Sequence, residues 1–169
     1  MATAKNAIPE GHYTLTPIVT YNDCAAAIDF YKVGLGATEV SRAVGPDGKI
    51  MHAEIQIGNS RIMMHDVMME AKGPREFGGS PVGMWVYVED CDALFNRAIQ
   101  AGATVVRPVE DQFWGDRCGT LKDPMGYAWT IATHTEDLTE EEMNARAEEF
   151  FKKMAEMAPP QTKAAGAGA

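Results

Sequence analysis

Residues 19–40 read VTYNDCAAAIDFYKVGLGATEV, and residues 86–106 read VYVEDCDALFNRAIQAGATVV. Laid on each other, the two stretches share an apolar run, an Asp-Cys pair, an amphipathic segment and Gly-Ala-Thr before a valine. Asp23-Cys24 pairs with Asp90-Cys91, and Gly36-Ala37-Thr38 with Gly102-Ala103-Thr104. Order, spacing and element type agree, with one residue of slippage at a helix-to-strand turn, so the chain is read as a duplication of one unit.

Working outward, each unit resolves into the same elements. Thr16 to Tyr21 and Met84 to Val88 are β-rich and short, as strands are. Asp23 and Asp90 are suited to cap the helices that follow, about Cys24 to Val33 and Cys91 to Ala101, because a carboxylate accepts from the free amides of a first turn. Their apolar faces run through Ala27, Ile28 and Tyr31, and through Leu94, Ala98 and Ala101. Gly34, Gly36 and Gly102 close them. Three more strands follow in each unit: Thr38 to Val44, Lys49 to Ile57 and Arg61 to His65 in the first, Thr104 to Pro108, Arg117 to Lys122 and Ala128 to Thr133 in the second. Pro46-Asp47-Gly48, Gly58-Asn59 and Asp123-Pro124-Met125-Gly126 supply turns. The expected architecture is α+β: two tandem βαβββ modules over about 12–67 and 82–134, forming a curled mixed sheet within one domain spanning 12–134. The linker from about Met68 to Pro81 reads as a loop bordering a site.

Past His134 the pattern changes. Thr139-Glu140-Glu141-Glu142 has capping-box spacing. Met143, Ala147, Phe150, Met154 and Met157 then form one apolar stripe opposite Glu141, Glu148, Lys152 and Glu156. An amphipathic helix is expected over 135–158 and a flexible tail over 159–169 after Pro159-Pro160. The stripe needs a cover, either its own domain or a second subunit.

Fifteen basic against 24 acidic residues give a net charge of −9. An acidic chain is a poor partner for nucleic acid or an anionic membrane. No apolar run reaches the roughly 20 residues of a membrane-spanning helix, and Met1 to Gly11 lacks the features of a secretion signal; a cytoplasmic protein is expected. Cys24, Cys91 and Cys118 are too few and too scattered for a disulfide framework or a structural zinc site.

The duplicated pattern resembles the vicinal oxygen chelate superfamily, the fold of glyoxalase I, bleomycin-resistance proteins and dihydroxybiphenyl dioxygenase, and in local wording its PhnB-like branch. The likeness is carried by Thr16-Pro17, Ala27-Ile28-Asp29-Phe30-Tyr31, His52-Ala53-Glu54-Ile55-Gln56-Ile57-Gly58, Phe113-Trp114-Gly115-Asp116-Arg117, Asp123-Pro124-Met125-Gly126-Tyr127 and Trp129-Thr130-Ile131-Ala132-Thr133-His134. It implies a cup with inward-pointing side chains, often completed by a second chain, so a homodimer is expected. In metal-dependent members, His and Glu from the first and last strands of each unit hold a divalent ion that acts as a Lewis acid. Carried over residue by residue, those positions fall on Thr16, Met84 and Thr130, with the fourth near His65. Two threonines and a methionine cannot hold a hard divalent ion, so no cofactor is expected at the usual positions.

Other residues can still make chemistry. His52 and His65 lie on adjacent expected strands, with Glu54 on the His52 face. That cluster is either a general base or atypical metal site, or a solvated strand edge. Trp114, Asp116 and Arg117 read as a ligand wall with an anion clamp, or as an internally paired brace. Met63 and Met84 would widen a soft apolar cavity. Trp85 and Trp129 are expected to pack in the core, facing away from Met84 and Thr130. His134 is expected to help turn the chain into the last helix, and His12 carries little weight. Three functions follow from the residues: binding of a small organic molecule in a cup without the usual metal; a metal-dependent lyase, isomerase or dioxygenase built on His52, Glu54 and His65; or a structural partner acting through the C-terminal stripe.

Overall fold

The computed structural model describes residues 4–157, so the expected tail over 159–169 lies outside the described residues. The first unit contains β1 (Ile18–Tyr21), α1 (Cys24–Gly34), β2 (Thr38–Val44), β3 (Ile50–Ile57) and β4 (Ser60–Asp66). After a short helix α2 (Pro74–Phe77), the second contains β5 (Gly83–Tyr87), α3 (Cys91–Gln100), β6 (Thr104–Asp111), β7 (Asp116–Lys122) and β8 (Ala128–His134). The chain then enters α4 (Glu140–Met157).

The duplication extends to topology. The strands form two four-stranded mixed sheets, ordered β1-β4-β3-β2 and β5-β8-β7-β6. In each, the first strand pairs in parallel with the last, and the remaining ladders are antiparallel. The parallel pairing follows from the helical crossover between first and second strands, which returns the chain across the sheet. The matched caps are present at matched distances: Asp23 Oδ1 accepts from the Ala26 amide at 2.9 Å, and Asp90 Oδ1 from the Ala93 amide at 2.9 Å.

Four boundaries differ most from the sequence expectation, one being the last helix, which starts at Glu140 and not at 135. β1 begins at Ile18, leaving Thr16 in the lead segment. α2 occupies part of the expected linker loop, with Pro74 at its first turn, where a missing amide is harmless. β6 continues past Pro108 to Asp111; it is an edge strand, so a residue without an N–H can sit facing solvent.

The core lies where each of α1 and α3 packs on its own sheet and the two helices meet. Ala27, Ile28 and Tyr31 of α1 are fully buried with Ile55 and Met64, and Phe95 and Ala98 of α3 with Leu121, Trp129 and Ile131. Burying each isoleucine or leucine stabilises the fold by about 2 kcal/mol. Arg97 Nε donates to the Gly34 carbonyl at 3.2 Å, tying the end of α1 to α3. At the centre, Asp123 joins the modules: its Oδ2 accepts from the Tyr31 hydroxyl at 2.6 Å and Trp129 Nε1 at 2.9 Å. Burial pushes the Tyr31 hydroxyl well above its ordinary pKa, so it remains a donor.

Capping-box bonds open α4: the Glu142 amide donates to Thr139 Oγ1 at 3.2 Å and the Thr139 amide to Glu142 Oε2 at 2.9 Å. Its aromatic residues meet Phe113, whose ring lies 4.9 Å from Phe150 and 6.0 Å from Phe151. No residue of α4 is buried.

Candidate functional site

Because strand side chains alternate and paired residues share a face, the registers settle what each sheet shows to the outside. In the first sheet, Val19, Ala53, Ile55, Ile62 and Met64 point at the core. Ile18 and Thr20 share the opposite face with Met63 and His65, and Glu54 pairs with Met63 on it. His52 is two residues from Glu54 on the same strand face. The structure therefore brings His52, Glu54, Met63 and His65 to one surface, with different partners for each. His65 Nδ1 lies 2.9 Å from the Asp66 carbonyl and Nε2 lies 3.2 Å from Thr20 Oγ1. A carbonyl only accepts, so Nδ1 carries the proton, and in the neutral ring Nε2 accepts from the threonine.

Three basic side chains surround Glu54, and two of them, His52 and Arg61, lie in hydrogen-bond geometry. His52 Nε2 is 3.3 Å from Oε1, while Arg61 Nη1 at 3.3 Å and His12 Nε2 at 3.4 Å reach Oε2. His12, discounted in the sequence, lays the lead segment across the sheet and covers this carboxylate. Nothing in the pattern around His12 signals it, because the contact spans 42 residues of chain.

In the second sheet, Trp85 pairs with Thr130, and Met84 with Trp129. Met84 and Thr130 are thus on opposite faces, which corrects the expectation that they point into one cavity. Trp129 packs in the core as expected, but Trp85 does not: it shares the outward face with Thr130 and is 47% exposed.

The Trp114-Gly115-Asp116-Arg117 motif is divided between the two faces. Arg117 lies against α3, donating through Nε and Nη2 to both oxygens of Asp92 at 2.7 and 2.9 Å, and through Nη1 to Asp111 at 3.1 Å. Its guanidinium is a brace, paired with carboxylates other than Asp116. Asp116 faces outward and is almost fully buried. Its Oδ2 accepts from Tyr87 OH at 2.9 Å and Trp114 Nε1 at 3.0 Å, and Oδ1 meets His134 Nδ1 at 2.8 Å. His134 Nε2 then reaches Asp137 Oδ1 at 3.1 Å. Burial works to raise the Asp116 pKa, but hydrogen bonds from His134, Tyr87 and Trp114 outweigh it and hold the carboxyl below its ordinary value. The bonds to Asp116 and then Asp137 raise His134.

This clasp gives a signed pH dependence. The raised His134 contributes fully below its ordinary value of 6.5 and loses that contribution as pH rises through the folded value. The lowered Asp116 contributes above its ordinary 3.8 and loses it as pH falls through the folded value. The clasp is therefore complete between these two ordinary values. Backbone amide exchange over 135–139 is expected to accelerate above that window and to slow again on return to it. An exchange rate that follows only the intrinsic hydroxide dependence would contradict this assignment.

Two hollows flank β5. The larger, of about 660 Å³, lies between the lead segment, the β3–β4 turn and β5, with Tyr13, Leu15, Ile62, Met84 and Trp85 among its walls. The smaller, of about 440 Å³, lies between β1, the α2 segment and β5, and shares Met84. Met84 is therefore a wall between hollows, a role its pliable thioether suits. Met63 and Thr130 border neither.

Residues 11–131 match the family described as the Glyoxalase/Bleomycin resistance protein/Dioxygenase superfamily. The chain belongs to this superfamily. It is 40% identical over 136 residues to an uncharacterized protein of Mycobacterium bovis, covering 78% of this chain and 90% of the relative. Among solved structures, it is similar to TioX from Micromonospora sp. ML1, with TM-score 0.58 and 26% identity over 75% of this chain and all of that one. A PhnB protein from Bacillus cereus shares the fold, with TM-score 0.55 and 16% identity over 72% of this chain and 99% of that one.

Against the superfamily's metal-dependent arrangement, the donors present do not fit. Thr16 precedes β1 and donates to the Tyr13 carbonyl at 3.4 Å. Met84 and Thr130 face opposite ways, and Thr130 Oγ1 is 3.0 Å from Thr120 Oγ1. Among the described residues, no three side chains of His, Cys, Asp and Glu are gathered so as to hold a metal ion. His52, Glu54 and His65 share a face without converging on a common point.

Proposed function

We propose that this superfamily member binds a small organic molecule beside β5, using apolar contact and hydrogen bonds in place of a metal centre. The hollow of about 660 Å³ is the observation that carries this reading. It falls within the range of small-molecule sites, roughly 300–1,000 Å³, and its walls have their apolar makeup and few polar groups. Trp85, partly exposed at its border, is the residue placed to stack on a planar ligand.

A thermal-shift screen of planar organic compounds tests the reading. At least one compound class is expected to raise the melting temperature, as binding to the folded state alone must, and Trp85→Ala is expected to weaken its binding by about tenfold or more, the loss of roughly 1.4 kcal/mol of ring contact. A screen in which no class stabilises the protein contradicts it. Chelator treatment is expected to leave the melting temperature within about 1 °C, since no metal contributes binding energy to the fold. A stoichiometric divalent ion, lost on His65→Ala, would instead establish metal chemistry at His52, Glu54 and His65.

The homodimer belongs to the same proposal. β1 and β5 are both sheet edges without a strand partner on one side, and Leu15, Ile18 and Val82 stand exposed along them. A second copy, presenting the same two edges, is the occupant that satisfies both. Sedimentation at micromolar concentration is expected to give twice the chain mass. The net charge of −9 supports a small molecule over nucleic acid or membrane as partner, and no described helix is long and apolar enough to cross a membrane.

A further inference from the structure

One row of side chains crosses the whole outward face of the second sheet. Trp85 on β5 pairs with Thr130 on β8, Thr130 with Thr120 on β7, and Thr120 with Arg107 on β6. Three strand spacings of about 4.8 Å separate the backbone at its ends. The row has an aromatic ring at one end, a guanidinium at the other and two hydroxyls between. Beside it, Tyr87, Ala132, Cys118 and Glu110 form the next row. The middle of the face is therefore floored by small residues and walled by large ones. The Trp85 and Tyr87 rings are 6.0 Å apart and substantially exposed.

Arg107, like Arg75 and Arg97, lies on no carboxylate among the described residues, unlike the arginines that brace the fold by ion pairs. Arg42, Arg61, Arg117 and Arg146 each lie on a carboxylate. Among the described residues, Arg107 has none within ion-pair distance, in a chain that carries nine surplus negative charges. Its recorded side-chain bond is from Nη2 to Thr120 Oγ1 at 3.3 Å. Register shifts flank it, between Val105 and Arg107 and between Arg107 and Glu110. Such bulges re-aim side chains, and here the guanidinium is turned over the threonines.

The threonines supply a second, independent observation. Thr120 and Thr130 are both buried, and their hydroxyls share one hydrogen bond of 3.0 Å. Two hydroxyls carry two protons. Whichever is the donor, the other retains an O–H for which the described residues offer no acceptor. That O–H is left to donate to an arriving acceptor.

We propose that this row is a subsite for a planar organic carboxylate, with the ring on Trp85 and Tyr87, and the carboxylate accepting from Arg107 and the spare threonine hydroxyl. The assignment rests on the preceding reading that a small molecule binds beside β5: Trp85 and Tyr87 line the larger hollow, and the row continues from that wall across the sheet, adding the ligand's charge and orientation. Glu110, at the corresponding end of the neighbouring row, repels the carboxylate from that row and leaves the Arg107 row as its place. No covalent step is involved.

The test compares 2-naphthoate with 2-naphthamide, which match in shape and differ in charge, by calorimetric titration of the full chain. The acid is expected to bind about tenfold or more tightly than the amide, as a charge-assisted bond to arginine implies. Arg107→Gln is expected to abolish that preference while leaving amide binding within about twofold; Arg107 is exposed on an edge strand, and an unchanged melting temperature verifies folding. Thr120→Val is expected to reduce the preference, and Trp85→Ala to weaken both compounds alike. Equal binding of acid and amide, or a preference that survives Arg107→Gln, overturns the carboxylate assignment and leaves the small-molecule site standing. Failure of both compounds to bind, while another class from the thermal-shift screen does, overturns the subsite alone. Failure of every compound in both experiments overturns the site as well.

Discussion

Asp123→Ala is expected to destabilise the protein by about 3–5 kcal/mol, the usual cost of stripping the acceptor from a buried, fully bonded cluster. Both carboxylate oxygens are used. Oδ2 accepts from Tyr31 and Trp129, and Oδ1 accepts from the amides of Met125 and Tyr127 at 3.0 and 2.8 Å. Alanine leaves four donors without their acceptor, three of them buried and the Met125 amide part-buried. Two belong to the tight turn between β7 and β8, one to the second sheet, and one to α1 of the other module. The loss therefore acts on the turn and on the junction between modules together. Tyr31→Phe removes a single hydroxyl and is expected to cost less, about 1–2 kcal/mol. Equilibrium denaturation in urea measures both; a midpoint for Asp123→Ala within 1 kcal/mol equivalent of the parent, on the order of ordinary surface changes, would show that Asp123 does not join the modules.

Gly115→Ala is the second large expectation, about 2–4 kcal/mol, and its effect is local. Gly115 has φ +87°, where a β-carbon is strained, and that carbon would lie 2.5 Å from the Glu136 carbonyl oxygen. The Gly115 carbonyl also accepts from the amides of Thr135 and Glu136 and from Thr135 Oγ1, at 2.8–3.0 Å. The glycine thus seats the segment leading into α4, beside the Asp116–His134–Asp137 clasp. Because α4 buries none of its residues, detaching it leaves the core of the two sheets in place. Hydrogen exchange is expected to show α4 amides losing protection while those of β7 and β8 retain it. Gly48→Ala is the comparison: φ is +81°, but no atom lies within 4 Å of the added carbon, so it incurs only the conformational penalty of about 1 kcal/mol. Equal losses for the two variants would refute the seating role.

These expectations locate what the fold motif Phe113–Arg117 does. Its appearance in sequence, aromatic residues beside a glycine and an Asp-Arg pair, reads either as a ligand clamp or as an internally paired brace. The structure uses each residue for a different internal connection: Phe113 for α4, Trp114 for Asp116, Gly115 for the 135–136 backbone, and Arg117 for α3. A pair adjacent in a strand cannot point the same way, so Asp116 and Arg117 could not have formed one clamp.

The amino-acid sequence by itself determined the units and their order. Two Asp-Cys caps, two amphipathic helices and two sets of strands are local consequences of propensity, capping and periodicity, and these need only neighbouring residues. The family likeness rests on the same local signals. Only tertiary structure decided which candidates meet. Register assigns Trp85 to the face of Thr130 and removes Met84 from it, a matter of one residue in strand pairing that alternation alone leaves open. His12 reaches Glu54 and His134 reaches Asp116 through contacts between distant segments, which no short-range pattern encodes. Arg107 is set apart from the ion-paired arginines only by contacts between distant segments, and its reach to Thr120 depends on the pairing of β6 with β7. Local chemistry sets the elements, while the approach of separate strands sets the chemistry between them.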